Sequence, residues 1–233
     1  MIITRTEFGH EYEKYRFGYC EYAVPETGEA LTAVYANGFL PYSARPTVLG
    51  SFYMARSARV PLALFEPTSE NRRVLKRFDS TFVRSESPAH NAPQHIKELF
   101  LSYFTTRHGA SVMPIERLEA ILEAPLPLTL ITYHAGEKLI AGALEVREPG
   151  FRHFWFSAYD PVLVHQSLGM WLMLDGAREA KNQHIPFYYL GTVYGEKALY
   201  KANLEPLEFW SGSEWIRDIK QLKALARTES VKD

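Results

Sequence analysis

The densest set of groups able to do chemistry lies in YDPVLVHQSLGMW, residues 159–171. An aromatic run ends at Tyr159-Asp160-Pro161. Ser167 then stands where it can cap a helix whose second residue is Gly169. Unsatisfied backbone N–H groups and the helix dipole make such a start an anion site, with Gln166, Ser167 and Gly169 nearest the ligand. Asp160 before proline reads as a turn residue. A second set is cationic: Arg72, Arg73, Lys76 and Arg77 fall on one broad helical face, which suits either a nucleic-acid backbone or plain solvent. Arg107 and His108 end another helix, where they can bind a ligand or satisfy its last carbonyls. Glu145, Tyr188, Lys197, Tyr200 and Lys201 complete the polar candidates. Metal chemistry is not expected: eight histidines are scattered without a ligand spacing, and Cys20 is the single cysteine.

These residues need elements to position them. Residues 26–37 read as a helix closed by Gly38, 39–59 as irregular, and VPLALF (60–65) as a short strand. SENRRVLKRF (69–78) reads as a helix capped by Ser69. FVRSE (82–86) alternates like a strand. QHIKELFLSYFTTRH (94–108) and IERLEAILEA (115–124) have helical apolar spacing. LTLITYH (128–134) and KLIAGALEVRE (138–148) read as a hairpin, followed by the strand FRHFWFSAY (151–159). The segment 167–182 is a helix apolar nearly all round for two turns, and PFYYLG (186–191) a buried strand. A short helix (196–203) and aromatic strand or loop (207–215) follow, and the charged tail 216–233 should fray. The order implies an α/β (α+β) fold, a mixed and mainly antiparallel sheet flanked by helices, with one strand–helix–strand crossover. Ligands in such sheets sit where strands splay, near the start of the crossover helix.

Composition sets outer limits. With 233 residues, 46% hydrophobic and 23% charged, the chain is ordinary globular material. No apolar run nears bilayer length, and the amino terminus lacks a signal core, so a cytoplasmic, membrane-free protein is expected. A net charge of −1 means that nucleic acid would have to be met by a local patch.

Taken together, the segments have a collinear likeness. FWFSAYDPVLVHQSLGMWLMLDGAREAKNQHIPFYYLG (154–191) resembles the central block of the arginyl/leucyl-tRNA–protein transferases, with its YDP turn, SLG helix start and YYLG strand. Lys197, Tyr200, Lys201 and Pro206 match the family's K-x-x-Y-K…P segment, and SEW (213–215) its closing aromatic motif. FEPTSENRRVLKRF, YFTTRHGASVM, FGYCEY and NGFLPYS resemble upstream segments. The resemblance implies a GNAT-like domain over 65–215, a small amino-terminal module over 1–64 and a tail over 216–233. It implies transfer of an amino acid from aminoacyl-tRNA to an amine: a protein amino terminus, a peptide or a small molecule.

In that setting Glu145, Tyr159, Ser167, Tyr188 and Lys197 become the catalytic candidates. Arg72, Arg73, Lys76, Arg107, His108, Gln166, Gly169, Tyr200 and Lys201 become contacts for tRNA or substrate. Glu145 falls where relatives carry an acidic residue beside the cleft, and is either that group or a solvent-facing strand carboxylate. The donor ester is already activated, so the site must orient, polarise and move a proton, without an obligatory enzyme nucleophile. No cofactor is expected. The family's cysteines are reduced to Cys20, so no iron–sulfur cluster is expected either, and GFLPYS lacks the family's arginine pair. Two alternatives stand beside this. Acyl-coenzyme A-dependent GNAT enzymes share the fold and cradle pyrophosphate in a Q/R-x-x-G-x-G/A turn. Here Trp171 takes the last small position, which argues against coenzyme A. A catalytically silent tRNA- or peptide-binding relative is the other.

Overall fold

The structure, a computed structural model, describes residues 1–7, 19–44 and 50–230. The side chains of Cys20 and Gln166, and most of FGYCEY, lie outside what is described. Among the described residues there are two sheets. The smaller holds β1 (Ile2–Glu7), β2 (Tyr19–Val24), β4 (Phe52–Met54) and β3 (Phe39–Pro41), in that order and antiparallel. The larger sheet comprises β5 (Ser57–Pro61), β6 (Val83–Pro88), β7 (Leu128–Ala135), β8 (Lys138–Glu148), β9 (Phe151–Tyr159), β10 (Phe187–Thr192), β11 (Glu208–Trp210) and β12 (Trp215–Ile216). Its spatial order is β12-β11-β5-β10-β9-β8-β7-β6. Every pairing in it is antiparallel except β9 with β10.

That exception is the expected crossover. β9 leads into the helix α5 (Leu168–Asn182), which returns the chain to β10. The face of the sheet carrying Tyr133 and Glu145 lies under α5, which packs in turn on α2 (Ser69–Phe78). Gly142 points to the opposite face, where a side chain would collide with Phe100 of α3 (Gln94–His108). The first two turns of α5 are apolar nearly all round because they lie between sheet and α2, and Leu168, Leu172 and Leu174 are fully buried there. One continuous apolar cluster runs from Ala23 and Tyr35 of α1 (Leu31–Ala36) to Leu222 of α6 (Ile219–Ser230).

Several local expectations change. The first helix is shorter than 26–37, because Pro25 and Gly28 precede it and only Leu31–Ala36 winds. The described residues of 39–59 include β3, β4 and part of β5, where an irregular segment was expected. The strand read over 60–65 ends at Pro61, and Leu62–Leu64 form a 3-10 turn. β5 lies inside the larger sheet between β10 and β11, although it precedes residue 65. Thr68, not Ser69, caps α2, accepting from the Asn71 N–H at 3.2 Å. Within the described part of the tail, α6 holds its place and buries Leu222 and Ala226 completely. Its apolar residues are spaced to cover the 3-10 turn Glu196–Asn203, which the sequence marked only as a short helix.

Candidate functional site

The sheet opens between β9 and β10. β9 and β10 pair only through Phe151–His153 and Phe187–Tyr189. β10 pairs with β5 along its length, with a register shift between Tyr189 and Gly191, but its pairing with β9 stops at Tyr189. β9 meanwhile bulges near Trp155 and continues along β8 to Tyr159. The two strands therefore diverge, and Tyr159 ends at the first turn of α5. A side chain at Gly169 would lie 3.2 Å from the Tyr159 hydroxyl, so glycine there lets the ring approach the helix start. Tyr103 of α3 packs on Tyr159 at 4.6 Å between ring centroids. Burial and this neighbour raise the Tyr103 hydroxyl well above its ordinary value, while Arg107 pulls it down. Burial, and Tyr159 nearby, raise the Tyr200 hydroxyl above its ordinary value. Tyr159, Gly169, Tyr200 and Arg107 are thus gathered at one mouth.

Ser167 is there too, but not as a capping serine. Its backbone is left-handed (φ 64°), its side chain makes no cap hydrogen bond, and it is exposed. Trp171 departs from expectation as well. Its side chain leaves the turn and packs among Phe78, Phe82 and Tyr133, with its N–H on Asp79 at 3.3 Å. The turn is consequently not filled by indole. The bulk argument against coenzyme A drops out, since side-chain volume acts where the side chain points.

Glu145 and Tyr188 lie elsewhere, about two helical turns further along α5 and beneath Gly176. Glu145 is not the solvent-facing carboxylate that was one reading of its strand; it is 2% exposed. Tyr188 donates to it at 2.7 Å, and Arg147 donates at 3.1 Å. Arg147 also forms a two-pronged pair with Glu86, at 2.6 and 2.8 Å, and Arg84 bridges Glu86 and Asp175. Tyr133 donates to Asp175, and Arg178 joins Asp175 to Asp79. The two arginines hold the Glu86 carboxyl down at about 2, and burial beside Glu145 drives Tyr188 far above its ordinary value. This partly buried network ties α5 to the sheet, although Nε and one terminal nitrogen of Arg84 stay without a hydrogen-bond partner.

On the other side of the divergence lies Lys201. Its ammonium turns inward and donates to the Thr192 carbonyl at 2.6 Å; burial lowers it from its ordinary 10.5 to about 8. Lys197, one turn earlier, is exposed. Sequence reasoning passed over His153, which is 1% exposed, bonded through Nδ1 to the Tyr35 hydroxyl at 2.9 Å, and without a partner at Nε2. Its alternation with the buried Phe151 was the available signal. A side chain at Gly191 would meet Lys201 Nζ at 3.8 Å and His153 Nε2 at 3.9 Å.

The cationic cluster is on α2, with Arg72, Arg73, Lys76 and Arg77 all exposed. Arg72 holds the Pro67 carbonyl and Arg73 pairs with Glu70 at 3.3 Å, so part of the charge is spent locally. Arg77 continues into a groove of about 400 Å³ walled by Phe78, Phe82, Ile140 and Leu163, with Lys138 and Asp160 paired at 2.7 Å on its rim. Arg107 and His108 are exposed, and His108 leans back on Phe104. Among the described residues no group of three or more His, Cys, Asp or Glu could hold a metal, and no helix is long and apolar enough to cross a membrane.

A mixed sheet opened between its one parallel pair, with a helix start at the opening, defines an acyltransferase-type fold. Residues 68–202 match the Acetyltransferase (GNAT) domain family, to which the chain belongs. Within it, the chain is a member of the arginyl/leucyl-tRNA–protein transferase family. It is 34% identical over 178 residues to the aspartate/glutamate leucyltransferase of Cereibacter sphaeroides, covering 71% of this chain and 62% of that one. It is 31% identical to the protein of the same name from Nitrosococcus oceani, covering 68% of each. The chain thus spans less than two thirds of the length of the Cereibacter relative. Among solved structures, FemX aligns with a TM-score of 0.49 at 11% identity, over 83% of this chain and 67% of FemX.

Proposed function

We propose that the protein transfers an amino acid, leucine in the first instance, from its tRNA ester to the amino terminus of a protein or peptide beginning with aspartate or glutamate. The donor and acceptor are taken from the names of its relatives. One observation carries the reading: Tyr159 with the start of α5 at one end, and the inward Lys201 at the other, flank the stretch where β9 and β10 no longer pair. In the reaction the acceptor nitrogen attacks the ester carbonyl carbon. A C–N bond forms, the C–O bond to ribose breaks, the nitrogen loses a proton and the ribose oxygen regains one. Because the ester is already activated, positioning and polarisation suffice.

Tyr159 and Lys201 take the carbonyl side, Tyr200 and Arg107 flank the mouth, and the α2 cations with Lys197 meet the tRNA backbone. Glu145 and Tyr188 act through the placement of α5. Incubation with leucyl-tRNA and an aspartyl peptide, followed by mass spectrometry, tests this: the peptide gains one leucyl residue. Acetyl-coenzyme A stays in the comparison because Trp171 leaves the helix start free. A rise in melting temperature with acetyl-coenzyme A, and none with leucyl-tRNA, would transfer the assignment to the coenzyme.

A further inference from the structure

The space beside Gly191 is bounded by two nitrogens that together lack an acceptor. His153 is closed off from solvent, and its Nε2 has no hydrogen-bond partner. A phenol must place its proton, and the acceptor offered to the Tyr35 hydroxyl is Nδ1 of His153 at 2.9 Å. With the hydroxyl as the donor, Nδ1 carries the lone pair and Nε2 the hydrogen. An N–H left unpaired in a core is costly, so such a donor is kept where something accepts from it. Lys201 brings three hydrogens, of which Thr192 takes one. Both nitrogens lie just under 4 Å from the position that a Gly191 Cβ would take. Gly191 and Lys201 are half-buried, so this space is in the wall of the opening and not in the sealed core. At φ +76°, position 191 is also poorly suited to a side chain that would fill it.

We propose that the carbonyl oxygen of the aminoacyl ester settles in this space, accepting hydrogen bonds from His153 Nε2–H and the Lys201 ammonium, which hold the negative charge that develops as the amine attacks. This rests on the aminoacyl-transfer reading above. Two donors fixed before the reaction, in a place water reaches poorly, stabilise an oxyanion more than the neutral carbonyl that precedes it. Burial also keeps the imidazole neutral, down at about 3, so His153 serves as a fixed dipole and not as a proton shuttle.

Two measurements decide it. The first is the tautomer of His153 in the wild-type protein, from nitrogen NMR with His153→Gln as the assignment control. The proposal requires hydrogen on Nε2; hydrogen on Nδ1 overturns it, whatever the enzyme transfers. The second is single-turnover transfer from leucyl-tRNA to an aspartyl peptide. His153→Leu should slow the chemical step about 10²–10³-fold with KM for leucyl-tRNA unchanged, and His153→Gln, which keeps an N–H near the same place, should recover about tenfold or more. A His153→Leu enzyme within about threefold of wild type overturns the inference and leaves the transferase reading standing. If wild type transfers no leucine, the transferase reading falls, and this assignment with it. If His153→Leu fails to fold, the glutamine variant and the tautomer carry the test.

Discussion

Gly176→Ala is the sharpest single probe of how the site is held. A β-carbon there would lie 1.9 Å from the Tyr188 hydroxyl and 2.9 Å from Glu145 Oε1. Neither can retreat easily, since Tyr188 is fully buried and Glu145 is gripped by Arg147. Forcing a methyl into a filled core costs about 2 kcal/mol. Losing the charge-assisted bond from Tyr188 to Glu145 adds about 1.5 kcal/mol, and the better helix propensity of alanine returns about 1 kcal/mol. The net loss is about 2.5 kcal/mol. At about 3 °C per kcal/mol for a chain of this size, the melting temperature falls by about 7 °C. Urea denaturation and calorimetry of wild type, Gly176→Ala, Tyr188→Phe and the double variant measure it. The double variant should cost less than the two singles together by about 1 kcal/mol, because removing the hydroxyl takes away the nearest obstacle. A Gly176→Ala protein within about 0.5 kcal/mol of wild type would refute the packing of α5 on Glu145 described above.

Three other outcomes follow from the same geometry. Because burial brings Lys201 down to about 8 from 10.5, the unfolded chain holds the extra proton between those values. Wild-type stability therefore gains a rising contribution from about pH 8 upward, and a Lys201→Met variant should be more stable than wild type at pH 7 by a margin that shrinks by pH 10 in urea melts. Glu86 is depressed to about 2 from 4.5, so its contribution is present above pH 4.5 and lost as pH falls towards 2. Glu86→Gln should cost about 1 kcal/mol at pH 7, because the pairs with Arg147 and Arg84 are partly exposed and screened, and the difference from wild type should close on acidification. Replacing Arg72, Arg73, Lys76 and Arg77 together by alanine should weaken tRNA binding, raise KM for leucyl-tRNA with kcat unchanged, and flatten the salt dependence of binding by up to about three units of slope. An unchanged slope would return α2 to a merely solvated face.

What could be read from the sequence follows from where its information is local. α3, β8 and β9 have the bounds that periodicity assigns, because an apolar face or an alternating run identifies itself within a dozen residues. α6 was misjudged because its two buried positions, Leu222 and Ala226, are sparse in a charged helix, and its contact is a distant turn. β5 was shifted because Pro61 ends its pairing while the apolar run continues into a 3-10 turn. At the site, the motif tyrosines and lysines were legible as types. The burial of Glu145 was not, since it depends on Arg147, Tyr188 and Glu86 arriving from three other positions in the sheet. His153 escaped notice for a related reason. A histidine in an aromatic strand looks like filler until Tyr35, far away in sequence, is seen to bond its Nδ1.

The most direct test is a structure of the protein with a stable amide analogue of leucyl-adenosine, in which nitrogen replaces the ester oxygen on ribose. The leucyl carbonyl should sit between β9 and β10, about 3 Å from His153 Nε2 and from Lys201 Nζ, with its carbon open towards the mouth lined by Tyr159. An analogue bound instead in the groove beside Lys138, with Nε2 of His153 still facing empty space, would contradict the account.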